Sequence, residues 1–419
     1  MSGRCGLNSA TVPKSNAHVP HKQLHIQMKK IFLKSGKEQS LLRFHPWVFS
    51  GAIARMDQME EGEVVDVMTA QGDFMARGHY QIGSIAVRVL SFNKDENINL
   101  DFYIKRISEA YDLRRDAGLV NNPDTTAYRL VFGEGDCLPG LVVDVYAKTA
   151  VVQMHSVGMW RDRAMVEEAL RHVMGDSLEA IYNKSEGTLP FKAGLNPVNS
   201  YVWGKTEKRE AKENGMIFIP DWEKGQKTGF FVDQRENRAL LERYAKGKRV
   251  CNMFCYTGGF SLFALRGGAE LVHSVDSSER AIELTRQNVE RNFGDEPRHA
   301  AFAEDAFKYM EHATQKYNLM ILDPPAFAKH VSVIKNALKG YRRLNAKAME
   351  IIEPGGILFT FSCSQVVSKE EFRTMVFTAA TMAHRRVAIL HQLTQPADHP
   401  INIYHPEGEY LKGLVLKVF

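Results

Sequence analysis

A chain of 419 residues is too long for one ordinary hydrophobic core, so its length predicts two or three domains. Its hydrophobic content of 44% and charged content of 25% are typical of a globular protein in water. The absence of a run of roughly eighteen apolar residues excludes a membrane-spanning helix, while the formal net charge of +5 permits a nucleic-acid partner without requiring one.

The N-terminal segment is polar and has no apolar core of the kind that a secretory signal needs. We therefore expect residues 1–27 to be a disordered tail, with Met28 as a candidate natural start. The cysteines contain no Cys-x-x-Cys pair and are scattered along the chain: Cys5, Cys137, Cys251, Cys255 and Cys363. This spacing predicts neither a disulfide framework nor a zinc site, so we expect a cytoplasmic protein without a metal.

The remaining chain divides into three parts. Residues 28–98 contain short alternating apolar runs separated by glycines, which is typical of a small β-barrel. Residues 99–205 combine two helices, near 101–115 and 161–174, with short strands, so we expect a compact α+β domain. Residues 206–419 alternate strands with helices, which predicts an α/β domain with a mainly parallel sheet.

Seven strands are predicted in the last part, and they cover residues 249–253, 271–276, 299–303, 317–322, 356–361, 386–390 and 411–419. Helices are predicted at residues 260–265, 278–292, 341–352 and 369–384. The last two strands have no helix between them. We therefore expect a seven-stranded Rossmann-like sheet of the kind found in methyltransferases, whereas a dehydrogenase more often ends in six parallel strands.

A glycine turn follows the first of these strands, at Tyr256, Thr257, Gly258 and Gly259. Glycines let the backbone approach a ligand, and the free N–H groups of a helix N-terminus favour a carboxylate or phosphate. Because the turn lacks the Gly-x-Gly-x-x-Gly pattern, it argues against NAD and is compatible with the methionine carboxylate of S-adenosylmethionine. The alternative is a tight strand–helix turn that binds nothing.

Two acids stand at the ends of the next two predicted strands. Asp276 is placed to bind the ribose hydroxyls, and Asp305 is placed to accept from the adenine amino group. Each acid could instead cap the helix that follows it. Since the carboxyl ends of consecutive parallel strands meet in one crevice, the two acids together predict an S-adenosylmethionine site.

The fourth predicted strand ends in Asp323, Pro324 and Pro325, followed after one residue by Phe327. Two prolines remove two N–H donors and stiffen the loop, which suits a loop that holds a flat base beside the cofactor. We expect Pro324 to contact the cofactor, Phe327 to contact the base and Asp323 to hydrogen-bond the edge of the base. A plain turn at the end of a strand is the alternative.

The fifth predicted strand leads into Cys363, which this topology places next to Asp323. Carbon 5 of cytosine is a poor nucleophile, but attack of a thiolate on carbon 6 makes an enamine that can accept a methyl group. That chemistry also needs a group that protonates or hydrogen-bonds the N3/N4 edge. We predict Cys363 and Asp323 as this catalytic pair, against the alternative of a buried structural cysteine.

Together these motifs resemble the RlmI-like family of bacterial 23S ribosomal RNA cytosine-C5 methyltransferases, over nearly all of residues 29–419. The resemblance is carried by the segments HPWVFSGAI, GQKTGFFVDQR, CYTGGF, VDSS, DPPAF, FSCS, ADHP and PEGEYLKG. It implies an N-terminal PUA domain, a central α+β domain and a C-terminal methyltransferase domain. It also implies that Cys363 is the nucleophile and that large-subunit ribosomal RNA is the partner.

The same resemblance implies that the segment 227–235 closes over the cofactor and the target base. Gln234 and Arg235 would then point inward, with Gln234 near the cofactor and with Lys227 and Arg235 near the substrate. An ordinary amphipathic connector is the alternative. A basic edge of the first domain, which could contact phosphates or simply be a solvated face, consists of Lys29, Lys30, Lys34, Lys37 and Arg43.

Three functions stay open at this point. The first is covalent methylation of cytosine carbon 5, the second is non-covalent methylation of a ring or exocyclic nitrogen, and the third is RNA binding by a catalytically silent methyltransferase fold. Some cytosine-C5 RNA enzymes carry a second cysteine after the double proline, but here that position is Ala326. The group that removes the C5 proton is therefore unidentified. A homodimer is possible, but the sequence does not determine the oligomeric state.

Overall fold

The computed structural model describes residues 28–190, 193–328 and 330–419. The predicted disordered tail, residues 1–27, lies outside the described residues. Within them the chain forms a six-stranded, a five-stranded and a seven-stranded sheet, together with a two-stranded sheet. This agrees with the expected order of an N-terminal β domain, a central α+β unit and a C-terminal α/β domain.

The N-terminal sheet has the strand order β2-β6-β5-β4-β1-β3, and only the β1–β4 pair is parallel among its described pairs. Its core contains the fully buried side chains of Ile31, Val65 and Val87. Gly78 is required in β5 because a Cβ atom there would lie 2.1 Å from the carbonyl oxygen of Arg88. The elements are β1 (Lys29–Leu33), α1 (Gln39–Leu42), β2 (Trp47–Phe49), β3 (Ile53–Met56), β4 (Val64–Met68), β5 (Phe74–Tyr80) and β6 (Ile85–Ser91).

The central sheet has the order β11-β10-β9-β8-β7. Helix α2 begins after Asn99, whose side chain accepts from the backbone N–H of Phe102, so an N-cap fixes its start. Tyr103 and Ile107 of this helix are fully buried in the core of the unit. The elements are α2 (Leu100–Asp116), β7 (Ala127–Phe132), β8 (Leu141–Tyr146), β9 (Thr149–Met154), α3 (Val157–Arg161), α4 (Arg163–Met174), β10 (Ala180–Asn183) and β11 (Ser200–Gly204).

The C-terminal sheet has the order β16-β15-β14-β17-β18-β20-β19, in which β20 alone runs antiparallel to both of its neighbours. Its strands are β14 (Arg249–Met253), β15 (Leu271–Asp276), β16 (His299–Ala303), β17 (Leu319–Leu322), β18 (Gly356–Ser362), β19 (Val387–Leu393) and β20 (Lys412–Val418). Its helices are α5 (Arg235–Tyr244), α6 (Gly259–Arg266), α7 (Glu279–Phe293), α8 (Ala306–His312), α9 (Ile334–Ile351) and α10 (Lys369–Met382). The expected seven-stranded Rossmann-like sheet is confirmed.

The central and C-terminal sheets share one hydrophobic cluster. It joins Tyr146 and Tyr182 of the central sheet to Val250 and Phe359 of the C-terminal sheet. The two-stranded sheet, β12 (Ala211–Glu213) and β13 (Met216–Phe218), contributes to the same cluster. A common core therefore spans the boundary placed at residues 205 and 206. None of the described helices is long and apolar enough to cross a membrane.

Candidate active site

The carboxyl ends of the parallel strands lie along one edge of the C-terminal sheet, where the predicted site residues collect. Asp276 is the last residue of β15, Asp323 follows β17 and Cys363 follows β18. Because β14 lies between β15 and β17, a crevice forms where the strand order reverses. The predicted cofactor acids stand on the β15 side of this crevice, and the predicted catalytic pair stands on the β17 side.

The glycine turn connects β14 to α6 through an unusual backbone. Gly258 has a φ of +78°, and a Cβ atom there would lie 2.7 Å from Cγ2 of Thr285, so only glycine fits. Tyr256 also has a positive φ, 48°, which non-glycine residues adopt rarely. The carbonyl oxygen of Thr257 accepts from the Asn288 side chain at 2.9 Å. The turn is thus held rigidly at the N-terminus of α6, where the first-turn N–H groups, starting at Gly259, have no helical partner.

Asp276 is fixed beside this turn. Its Oδ2 accepts from the backbone N–H of Tyr256 at 3.0 Å, and its Oδ1 accepts from the backbone N–H of Ser278 at 2.9 Å. A carboxylate has about four acceptor sites, so two remain for a pair of hydroxyl groups. Asp276 therefore has the position and the acceptor capacity that the ribose prediction requires.

Asp305 caps helix α8, as the alternative in the sequence analysis proposed. Its Oδ1 accepts from the backbone N–H groups of Phe307 and Lys308, at 3.0 and 3.1 Å. The second carboxylate oxygen has no hydrogen bond within the described part of the chain, and the residue is exposed. Capping uses one oxygen and leaves the other available to an adenine amino group.

Asp323 receives a hydrogen bond from the side chain of Gln234, with 3.1 Å between Nε2 and Oδ2. Burial raises the pKa of Asp323 to about 7, and the negative charge of Asp233 adds to this rise, while the bond from Gln234 opposes it. A carboxyl group with a pKa near 7 can donate or accept a proton at neutral pH. Asp323 can therefore donate a proton to a nucleobase that enters the crevice.

Cys363 is partly buried, and its Sγ lies 4.0 Å from the carbonyl oxygen of the buried Pro324. Burial raises the pKa of the Cys363 thiol to about 12, and the charges of Asp323 and Asp233 raise it further, whereas the charge of Lys227 lowers it. The thiol is therefore protonated in the resting protein. Of these three charged residues, Lys227 is the one that favours the thiolate form of Cys363.

The segment from Lys227 to Arg235 lies against the glycine turn. The Tyr256 hydroxyl donates to the carbonyl oxygen of Gly229 at 3.3 Å, and the rings of Phe231 and Tyr256 are 5.1 Å apart in an edge-to-face arrangement. Further along, Gln234 reaches Asp323. The segment thus bridges the two sides of the crevice, and Gln234 points inward.

Arg235 points away from the crevice, contrary to the prediction that it faces the substrate. Its guanidinium is buried and contacts Asp398, with 2.6 Å from Nη2 to Oδ1 and 3.0 Å from Nη1 to Oδ2. A buried guanidinium held in this way is committed to its carboxylate. The prediction fails because Arg235 is the first residue of α5, whose buried side packs toward Asp398, and this pairing has no local sequence signal.

Phe327 follows the double proline, but its ring packs inside the protein. It lies 4.5 Å from the ring of Tyr341, and a Cβ atom at Gly340 would lie 3.1 Å from it. The Phe327 side chain is only partly exposed. Its main contacts therefore support the loop, and any contact with a nucleobase is limited to the exposed part.

Two residues that the sequence analysis did not single out also belong to the site. The Tyr410 hydroxyl donates to Oδ2 of Asp233 at 2.6 Å. The other oxygen, Oδ1 of Asp233, is buried and has no hydrogen-bond partner among the described residues. Both residues lie within the quoted segments GQKTGFFVDQR and PEGEYLKG, which was the available signal, but neither ends a strand of the sheet.

Comparison with known proteins assigns the family. A profile described as S-adenosylmethionine-dependent methyltransferase matches residues 129–400. The chain belongs to this methyltransferase family. A PUA-like domain profile matches residues 31–92 of the methyltransferase, which agrees with the expected N-terminal domain.

Relatives cover almost the whole methyltransferase. The protein named Ribosomal RNA large subunit methyltransferase I from Erwinia tasmaniensis is 39% identical over 396 residues, which is 93% of this chain and 99% of that one. Its namesake from Aeromonas hydrophila is 40% identical over 395 residues, 92% of this chain and 98% of the relative. The resemblance drawn from the sequence motifs is therefore confirmed at the level of the family.

Solved structures show the same architecture. A Streptococcus mutans protein assigned as an S-adenosylmethionine-dependent methyltransferase has a TM-score of 0.80 at 25% identity, covering 93% of this chain and all (100%) of that one. A second structure, of a protein likewise assigned as a methyltransferase, has a TM-score of 0.81 at 25% identity, with the same coverage of 93% and 100%, and was determined in complex with SAH.

S-adenosylmethionine, the cofactor of this family, fits the residues on the β15 side of the crevice. The N–H groups at the start of α6 suit its carboxylate, the remaining acceptor sites of Asp276 suit its ribose and the free oxygen of Asp305 suits its adenine. When bound, it supplies a methyl group on a positively charged sulfur. Within the described ranges, no group of three His, Cys, Asp or Glu side chains is placed to hold a metal ion.

Proposed function

We propose that this methyltransferase modifies carbon 5 of a cytosine in 23S ribosomal RNA through a covalent bond between Cys363 and carbon 6. The observation that carries the proposal is the position of the Cys363 sulfur. It lies at the tip of β18, against the carbonyl oxygen of Pro324 and next to the loop that begins with Asp323. A nucleophile and an acid thus face the same crevice as the cofactor residues.

The chemistry assigned to the two catalytic residues follows from their proton affinities. Asp323, with a pKa of about 7, holds a proton in about half of the molecules at neutral pH, so it can donate to N3 of cytosine as the sulfur attacks carbon 6. Donation at N3 draws electrons from carbon 6 and makes the attack easier. Cys363 must lose its proton first, and the charge of Lys227 favours that loss.

Ribosomal RNA is the proposed substrate because the relatives that cover most of the chain are named ribosomal RNA large subunit methyltransferases. The PUA-like domain provides a basic edge for phosphate contacts. Lys29 of this edge is paired with Glu63 at 2.8 Å, whereas Lys37 and Arg43 are exposed. A target base in folded RNA must be flipped out to reach Cys363, and phosphate contacts outside the crevice would hold the RNA meanwhile.

Non-covalent methylation of a nitrogen is less well supported. It would need Phe327 to clamp an exocyclic amine, but that ring is packed against Tyr341 at 4.5 Å. It would also leave the Cys363 thiol beside Asp323 without a function. The covalent mechanism uses both groups.

RNA that contains 5-fluorocytosine tests the covalent mechanism. Fluorine cannot leave carbon 5 as a proton does, so the covalent complex should accumulate and survive denaturing electrophoresis, provided that S-adenosylmethionine is present. Cys363→Ala should abolish both the complex and methylation. Cys251→Ala and Cys255→Ala are matched controls that should retain the complex, because the Cys251 thiol is buried within β14 and the Cys255 thiol packs against Thr285 on the cofactor side.

Methylation by the Cys363→Ala protein at a substantial rate would overturn the covalent mechanism and favour methylation of a nitrogen. Bisulfite sequencing of ribosomal RNA from strains with and without the gene tests the substrate. In the strain with the gene, one cytosine of large-subunit RNA should resist conversion by bisulfite. In the strain without the gene, the same cytosine should be converted. An unchanged pattern would contradict the assignment of the RNA.

A further inference from the structure

Asp233 carries a buried carboxylate oxygen that the structure leaves without a partner. Oδ2 accepts from the Tyr410 hydroxyl at 2.6 Å, but Oδ1 has no hydrogen bond among the described residues. An unpaired buried acceptor destabilises the fold, and more so when it is charged. A group that served only to hold Tyr410 would not need this second oxygen buried.

No guanidinium of the described residues hydrogen-bonds Asp233, because the buried arginines of this region are bound to other carboxylates. Arg129 makes two hydrogen bonds to Asp144, at 2.8 Å each. Arg235 is paired with Asp398, and a third pair, Arg238 with Glu213, has distances of 2.6 and 2.7 Å. These arginines are thus hydrogen-bonded to other carboxylates. Oδ1 of Asp233 remains available as an acceptor for a ligand.

The position of Asp233 places that acceptor in the catalytic crevice. The residue that follows it, Gln234, donates to Asp323. On its other side, Tyr410 precedes β20, and β20 pairs with β18 so that Lys412 lies opposite Ser362. Residues just before β20 therefore lie beside Cys363, just after β18. The charge of Asp233 acts on both catalytic groups, since it raises the pKa of Cys363 and that of Asp323.

We propose that Asp233 is the base that removes the proton from carbon 5 after methyl transfer; this rests on the covalent mechanism proposed above. In the methylated adduct, carbon 5 carries both the methyl group and its original hydrogen, and carbon 6 is bonded to the Cys363 sulfur. Asp233 takes the hydrogen as a proton. The electrons of that C–H bond form the C5–C6 double bond, and the C–S bond breaks with its electron pair on sulfur. The proton that Asp323 placed on N3 returns to Asp323, so neutral 5-methylcytosine is released.

This assignment separates the tasks of the two acids. Asp323 works at the N3/N4 edge of the ring, where it donates a proton during the attack. Asp233 approaches from the β20 side, through Tyr410, and acts at carbon 5. The position after the double proline, where some cytosine-C5 RNA enzymes carry a second cysteine, is Ala326 and offers no proton acceptor. The Tyr410 hydroxyl orients the carboxylate, and it is a positioning residue.

Asp233→Asn tests the assignment with the full-length enzyme, ordinary cytosine RNA and S-adenosylmethionine labelled in its methyl group. The amide keeps the size of the side chain and an acceptor for Tyr410, but it cannot take a proton. A covalent enzyme–RNA complex that contains the labelled methyl group should accumulate, up to one per enzyme, and turnover should fall roughly 100-fold or more. Denaturing gels and intact mass measure the complex directly.

Glu236→Gln is the matched control, since Glu236 is exposed with 67% of its side chain accessible and lies in the same part of the chain. It should turn over normally and accumulate no complex with ordinary cytosine. Tyr410→Phe should slow breakdown of the complex less than Asp233→Asn does, because the base remains but is less well oriented.

The wild-type protein and 5-fluorocytosine RNA distinguish the possible failures. If the wild type forms no complex with that RNA, the covalent mechanism fails, and this inference fails with it. If the wild type is trapped but Asp233→Asn turns over ordinary RNA at the normal rate, the assignment of Asp233 alone is overturned. It is also overturned if Asp233→Asn forms no complex on either RNA, because Asp233 would then act before the bond to carbon 6 forms.

Discussion

The side chain of Gln234 donates a 3.1 Å hydrogen bond to Asp323, which ties the segment before α5 to the tip of β17. Asn237, one turn further along, donates to the Gln234 side-chain oxygen at 2.6 Å and so fixes the orientation of the amide. The amide therefore presents its N–H group to Asp323. This arrangement stabilises the ionised carboxylate, yet burial still dominates and leaves its pKa at about 7.

Asp323→Asn should reduce methylation by roughly 100-fold to 1,000-fold, because it removes a group that stabilises charge developing on the ring. RNA affinity should change little, since one edge contact is a small part of the binding surface. Steady-state rates and filter binding measure the two effects separately. Equal losses in rate and in RNA affinity would show that Asp323 only binds the substrate.

The pH dependence of methylation by the wild-type enzyme should reflect the ionisation of Asp323. The pKa of Asp323 is raised from an ordinary value of 3.8 to about 7, so the donor form is present below pH 7 and is lost as the pH rises through 7. The attack needs protonated Asp323 and ionised Cys363, whose pKa is about 12, so the single-turnover rate should rise with pH up to about 7 and level off above it, where loss of the acid offsets the gain in thiolate. In Asp323→Asn the residual rate should instead keep rising through pH 7.

The reactivity of the Cys363 thiol toward iodoacetamide should follow the charges around it. The negative charges of Asp323 and Asp233 raise the pKa of this thiol. Asp323→Asn or Asp233→Asn should therefore speed alkylation at pH 8 by roughly threefold to tenfold, which corresponds to lowering the thiol pKa by up to about one unit. Lys227→Met should slow it. Peptide mass spectrometry measures each cysteine, and the exposed Cys137 serves as the internal control.

The sequence predicts the sheet better than the site. Strands β14, β15 and β16 have the predicted bounds because each is an apolar run with a clear polar end. Helix α9 begins at Ile334, earlier than predicted, since Gly340 resembles a break but packs closely against Phe327. Helices α5 and α8 were not predicted from the sequence. Helix α5 is largely polar, and its buried side includes arginine side chains.

Within the site, residues that end a strand could be found from the sequence, whereas residues that reach the crevice from elsewhere could not. Asp276 and Asp323 follow apolar runs, so their positions in the fold are encoded locally. Asp233 meets Tyr410, and Arg235 meets Asp398, only after the C-terminal strands have folded back onto the sheet. Contacts between such distant segments depend on the complete topology.

Asp276→Ala should weaken the binding of S-adenosylmethionine by roughly 2–3 kcal/mol, because two ribose hydroxyls lose a charged acceptor. Asp276→Asn should lose less, since its amide retains one acceptor oxygen, although its NH2 group would face one of the two backbone N–H groups, of Tyr256 and Ser278, that now donate to separate carboxylate oxygens. Calorimetry measures the affinity, and circular dichroism checks the fold. Unchanged affinity in a folded Asp276→Ala protein would remove this residue from the cofactor site.

Arg235→Ala should destabilise the fold rather than alter substrate recognition. Removing one partner of a buried ion pair costs roughly 3–5 kcal/mol, because the other charge stays buried and unpaired. Asp398, whose carboxylate is fully buried, would lose both bonds from Arg235 and keep only the Arg129 N–H and His399 as partners among the described residues. A double variant with Asp398→Asn should recover part of the loss, as no charge is then stranded. Thermal unfolding of the two variants and the wild type measures both effects.

The pH dependence of the stability lost in Arg235→Ala distinguishes an ion pair from simple packing. Burial alone would raise the pKa of Asp398, but the hydrogen bond and charge of His399, together with the charge of Arg235, hold it well below its ordinary value of 3.8. The stabilisation is therefore present above pH 3.8 and is lost as the pH falls below that value. The difference in stability between wild type and Arg235→Ala should be large at pH 7 and should shrink near pH 3. A difference that does not change with pH would mean that Arg235 stabilises the protein through packing.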